Sequence, residues 1–144
     1  MKKKILSFVL AICLVIPALM FVGCGKNPPD DKLKEYAGTY KVERLIDTEF
    51  DLDVTKEQYQ ANPSNYDEWD ISGWFEMTII LNENGNFEQH QEGSSFIQEG
   101  SWTIAGDKLK LIVDNELYFE FIIINNSTVT LNPYSNTTLT LSKV

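Results

Sequence analysis

Cysteine is nearly absent: the 144 residues hold two, Cys13 and Cys24, and the chain beyond them has none. A disulfide inside the domain, a cysteine-based zinc site and a catalytic thiol within the fold are thereby excluded. Histidine is scarcer still. With His90 alone no multi-histidine metal site can be assembled, and its neighbours Glu88, Gln89, Gln91 and Glu92 suggest no Ser-His-Asp arrangement. Clusters of Lys and Arg are missing too. Twelve basic residues face 21 acidic ones, and without Lys2, Lys3 and Lys4 nine remain, a net charge of about −12. Such a surface repels nucleic acid and anionic headgroups, so no nucleic-acid partner is expected. The core alone must hold the fold, and a domain of roughly 110 residues suffices because it buries well over half of its unfolded surface.

One long apolar run exists, residues 5–22, behind the basic start and interrupted by Ser7 and Pro17. Its length fits either a bilayer span or a secretion signal. The end of the run separates the two. Phe21-Val22-Gly23-Cys24 resembles the lipobox of bacterial lipoprotein signal peptides, in which a small residue precedes the cysteine that becomes the lipidated N-terminus; Phe21 stands where Leu is usual. The resemblance implies a signal peptide over 1–23, a lipid anchor on Cys24, a flexible tether over 24–34 and an extracytoplasmic domain over 35–144, with the membrane as partner through the anchor. A single acyl chain, at about 0.8 kcal/mol per buried methylene, holds only marginally, whereas the multi-chain anchor of that family holds stably. An uncleaved signal anchor with an incidental Cys24 is the alternative, and it too leaves the domain outside the cytoplasm.

From Gly38 onward the pattern has period two. The stretch 100–113 sets the scheme: Trp102 and Ile104 share one face, Leu109, Leu111 and Val113 share a face of the next strand, and Gly106-Asp107 turns between them. A first strand begins at 38, its alternation continuing through Phe50, Leu52 and Val54 with Asp47, Glu49, Asp51 and Asp53 opposite. Residues 55–60 form a short helix with Thr55 as cap and Gln58 three positions on, and 61–72 is predicted as loop. The meander resumes at Trp74, with Phe75, Met77, Ile79 and Leu81 on one face. Turns at 82–86, 92–94, 105–108, 114–115, 125–127 and 133–136 then separate the remaining strands. The fold class is all-β: about eight antiparallel strands in a meander closing into a barrel, with a loop and short-helix insertion after the first strand.

Eight strands enclose either a packed interior or one small ligand. Trp102, Phe75, Phe87, Phe119 and Phe121 fall on the inward faces, so they form a solid core or line any ligand site within it. The strand at 117–124 is apolar on both faces, with Tyr118, Ile122 and Ile124 opposite Phe119, Phe121 and Ile123, and the 47–72 insertion is expected to cover its outside.

Gly38-Thr39-Tyr40, 81–85 (LNENG), Gly100-Ser101-Trp102 followed by 106–111 (GDKLKL), and the terminal 139–143 (LTLSK) resemble the lipocalin-like domains of small bacterial lipoproteins. The resemblance covers nearly the whole chain beyond the tether. Its motifs are turn and core positions, so it implies a calycin-like barrel and leaves function open.

Three constellations invite chemistry. The carboxylates 47, 49, 51, 53, 57, 67, 68 and 70 surround Lys56, but same-face strand side chains stand about 7 Å apart and parallel, which suits a solvated edge better than a calcium cage. Asn82-Glu83-Asn84-Gly85 imitates a calcium loop, yet Ile80 and Gln91 occupy its first and last ligand positions. Tyr59, Tyr66, Trp69 and Trp74 interleave with the acidic insertion as a lid on the barrel mouth or a partner surface. No nucleophile and base pair is evident, and no cofactor or metal is implied. The expectation is a non-enzymatic module binding a small apolar or amphipathic ligand or an envelope protein; the alternative is a solid-core interaction or inhibitor domain acting through 47–74.

Overall fold

Period-two patterning builds nine strands in the computed structural model, which describes residues 31–144. A helix α1 (Asp31–Tyr36) leads into β1 (Gly38–Asp47) and β2 (Leu52–Thr55). Helix α2 (Lys56–Ala61), a 3₁₀ helix (Pro63–Trp69) and a helical turn α3 (Ser72–Phe75) come next. Then come β3 (Met77–Leu81), β4 (Asn86–Gln91), β5 (Ile97–Ala105), β6 (Lys108–Val113), β7 (Glu116–Asn125), β8 (Thr128–Tyr134) and β9 (Thr137–Lys143). From β3 onward each strand pairs antiparallel with the next, and β9 returns to β1, closing an eight-stranded antiparallel barrel of β1 and β3–β9. The residues expected to form a lipobox and signal segment, Cys24 included, lie outside the described residues; positions 31–34, expected as the end of a flexible tether, belong to α1.

Turn chemistry sets the hairpins. Asp114 and Asn115 both have positive φ, 51° and 66°, as a two-residue type I′ connection requires, and Gly106 supplies φ 66° between β5 and β6. Inside, Trp102, Tyr40, Phe87 and Phe121 are each 1 % exposed and Phe75 is 4 % exposed, amid Leu and Val from neighbouring strands. Gly100 lets this packing happen. A Cβ there would lie 2.2 Å from the Ile112 carbonyl oxygen and 2.6 Å from the Phe87 ring. One end of the barrel is shut by Trp102, whose indole N–H donates to the Asn82 carbonyl at 2.9 Å while its backbone N–H donates to the Gly85 carbonyl at 2.8 Å. Leu33 of α1 lies against that turn, and the Tyr40 hydroxyl donates to the Tyr36 carbonyl at 2.8 Å.

The insertion after the first strand departs from its sequence reading in four ways. The alternation of 38–54 is a hairpin, because the chain reverses over 48–51 and β2 pairs back on residues 44–47 of β1. Residues 61–72 hold the 3₁₀ helix and the start of α3, since Pro63 at its first turn and the capped α2 before it favour helical backbone. Trp74 and Phe75 belong to α3, and strand geometry begins at Met77. The insertion does not cover β7: its outer side chains Leu117, Ile122 and Ile124 are 58, 39 and 59 % exposed. β2 takes the upper edge of β1 and β3 only the lower, so residues 56–76 are returned to the barrel mouth instead.

Candidate functional site

The mouth is the end of the barrel where β1 and β8 finish and β9 begins. A bulge shapes it. Pairing of β1 with β9 slips by one residue between Val42 and Arg44, so the inward set changes from Tyr40 and Val42 to Leu45 and Asp47. Asp47 thereby becomes a buried carboxylate at the rim instead of one on a solvated face. It accepts from the Thr137 hydroxyl at 2.9 Å, the Glu49 and Phe50 backbone N–H groups at 2.9 and 3.2 Å, and the Asn136 amide at 3.2 and 3.3 Å. Burial by itself pushes this carboxyl up, but the donors together outweigh it and hold it below its ordinary value. Asn136 donates also to Glu49 at 2.9 Å. This network ties the β1–β2 turn to the β8–β9 turn.

Above that polar floor opens a groove of about 310 Å³ walled by Phe50, Leu52, Trp69, Trp74 and Tyr134. Capping places the walls: the Thr55 hydroxyl accepts from the Gln58 N–H while the Gln58 side chain accepts from the Thr55 N–H, fixing α2. Tyr59 on α2 then stacks on Phe75 at 5.1 Å, and Tyr66 meets Tyr59 and Trp69 at 6.0 and 6.5 Å. Trp74 meets Tyr134 edge-on at 6.4 Å. On the other side of Trp74 lies a second groove, also about 310 Å³, lined by Asp70, Gly73, Trp74, Met77, Gln89 and Gln91. Gln91 donates to the Gly73 carbonyl at 2.9 Å, but the Gln89 side-chain oxygen is buried without a hydrogen-bond partner. An acceptor left so is costly.

The structure separates the two sets of sequence-predicted site residues. Tyr59, Tyr66, Trp69 and Trp74 come together at the mouth, half-buried against the core. Trp102, Phe75, Phe87 and Phe121 are packed in the core. The interior gap among Tyr40, Ile79, Leu81, Leu109, Phe121, Val129 and Leu141 measures about 10 Å³, at most one water's room, so a ligand there would have to displace side chains. Phe119 stands apart, half-buried on β7 beside a lateral groove.

Phe50, Tyr134, Asn136 and Thr137 join the mouth without having been singled out in sequence. The available signal was local: Asp47 followed by Thr48-Glu49-Phe50 is an Asx-type turn, in which a carboxylate caps backbone N–H groups two and three residues on. Elsewhere the acids behave as surface. Asp53 is held by Arg44 at 2.7 and 2.5 Å, His90 pairs with Glu88 at 3.0 Å, and no group of three or more His, Cys, Asp or Glu side chains converges among the described residues.

No protein-family model matches the sequence, and no curated protein matches it. Among solved structures, the crystal structure of a DUF4847 family protein from Bacteroides vulgatus is similar at 13 % identity and a TM-score of 0.49, covering 78 % of this chain and 96 % of that one.

Proposed function

We propose that this protein is a non-enzymatic binding module, carried outside the cytoplasm on a lipid anchor at Cys24, that takes a small amphipathic ligand into the two grooves flanking Trp74. The observation that carries the reading is the aromatic-walled mouth above the Asp47, Asn136 and Thr137 floor. Apolar walls with few fixed polar groups are the ordinary makeup of a small-molecule site, and about 310 Å³ is at the lower end of its usual size. The filled barrel interior directs the ligand to the rim. A second reading, contact with an envelope protein, is favoured by Phe50 and Tyr134, which stand 54 and 63 % exposed where a larger partner would meet them.

Native mass spectrometry on the full chain, released from a membrane extract of its host in mild detergent, tests the ligand. The expected result is an added mass that leaves on denaturation and is lost in the Trp69→Ala/Trp74→Ala double variant with the circular dichroism unchanged. A bare polypeptide mass, or a double variant that retains the added mass, would overturn it. The anchor is tested by the mass of the N-terminal peptide, which should carry acyl chains on Cys24 and lack them after Cys24→Ser.

A further inference from the structure

Strand β7 is paired unequally on its two sides. Against β6 its ladder begins at Glu116, but against β8 it begins only at Phe121. Past the Phe121 and Leu131 pair, β8 turns toward β9: its register slips between Leu131 and Tyr134, and Pro133 has no N–H to offer. Leu117 and Tyr118 therefore lie outside the β8 ladder; Phe119 faces Leu111 of β6, and the Phe121 and Leu131 pair engages the Glu120 carbonyl, so among the described residues the open part of this edge is Leu117, Tyr118 and the Glu120 N–H. A groove of about 410 Å³ occupies the split, bordered by Leu117, Tyr118 and Phe119 and by Leu131 and Pro133, with the paired Lys108 and Glu120 in its lining. The bulge that leaves Tyr118 unpaired with β6 brings its ring within 4.4 Å of Phe119, so both aromatics border the opening.

Open strand edges are normally blunted by lysine, proline or a covering element, because unpaired N–H and C=O groups template a further strand. Residues 116–120 carry neither lysine nor proline, and Lys108 and Lys110 are turned to Glu120 at 2.6 and 3.5 Å. We propose that this edge receives an extended segment of another protein as an added strand, one alternating apolar and basic residues. The backbone edge supplies ladder bonds, while Leu117, Tyr118 and Phe119 supply apolar contacts for alternate side chains. Charge selects the occupant: Asp114 and Glu116 stand at the open end of a chain of net charge −9. A second copy would bring the same acids and the same net charge against itself, whereas a basic segment meets both with opposite sign.

The probe is a short fluorescent peptide alternating valine and lysine, compared with the same peptide N-methylated at every second residue to remove its ladder donors. On the full chain in mild detergent, the unmodified peptide should bind saturably and slow hydrogen exchange at those amides of 117–120 that point away from β6. The N-methylated peptide should bind about tenfold more weakly, and the exposed substitution Glu116→Lys should weaken binding several-fold with the circular dichroism unchanged. Equal binding of both peptides, or exchange at 117–120 that does not respond, would overturn the proposal. So would concentration-dependent protection of those amides without peptide, which would assign the edge to a second copy.

Discussion

The Thr137 hydroxyl donates to the Asp47 carboxylate at 2.9 Å across 90 residues of sequence, and this bond joins the first barrel strand to the last at the mouth. Thr137 and Asp47 are also neighbours in the β1 and β9 ladder, so backbone register and side-chain bond support the same closure. Trp69, Trp74 and Tyr134 stand over this junction, and the shape of their groove depends on it.

Acid should loosen the mouth. Asp47 has a folded pKa below its ordinary value of about 3.9, so its contribution is fully present above that value and is lost as pH falls through the folded pKa. Thermal melts from neutral pH downward should show the midpoint falling in this acid range, and Asp47→Asn should flatten the fall while lowering the midpoint at neutral pH. An equally steep acid limb in the variant would assign the effect to other carboxylates.

Alkali should act at the opposite end. Burial, and after it the neighbouring Tyr36, pushes the Tyr40 phenol up to about 12. Ionisation then favours the unfolded chain, whose tyrosines titrate near 10, so stability is full below about pH 10 and declines as pH rises toward 12. Tyr40→Phe should reduce that decline in melts across this range, although it gives up the bond to Tyr36 at neutral pH.

Trp102→Phe should cost about 1–3 kcal/mol in urea unfolding with an unchanged slope, combining a lost hydrogen bond to Asn82 with an incompletely filled space. Trp74→Phe at the mouth should cost well under half as much, because Trp74 is only partly buried.

Gly100→Ala should destabilise by about 1–3 kcal/mol, since the new methyl meets the Ile112 carbonyl and the Phe87 ring. Adding Phe87→Leu should not restore stability. The closer obstacle is backbone, which a smaller ring leaves in place. Restoration in the double variant, measured by chemical denaturation, would show that the ring is the real obstacle.

Local rules account for what was legible beforehand. Period-two alternation identified the meander, turn residues marked the hairpins, and Thr55 with Gln58 marked the capping box that fixes α2. The acidic face at 47–53 was misread because alternation was extended through a chain reversal and across the bulge after Val42, and neither changes local composition. Phe50, Tyr134, Asn136 and Thr137 were missed for another reason: their proximity arises only when the ring of strands closes.

By itself the sequence determined the all-β class, the number of barrel strands, the inward placement of Trp102, Phe87 and Phe121 and the gathering of Tyr59, Tyr66, Trp69 and Trp74 into one insertion, because side-chain alternation and turn propensity act over a few residues. Tertiary structure alone decided that Asp47 is buried, that the interior gap holds about 10 Å³, and that β7 leaves part of one edge unpaired. Register, packing volume and closure depend on contacts between strands far apart in the chain, and no window of neighbouring residues contains them.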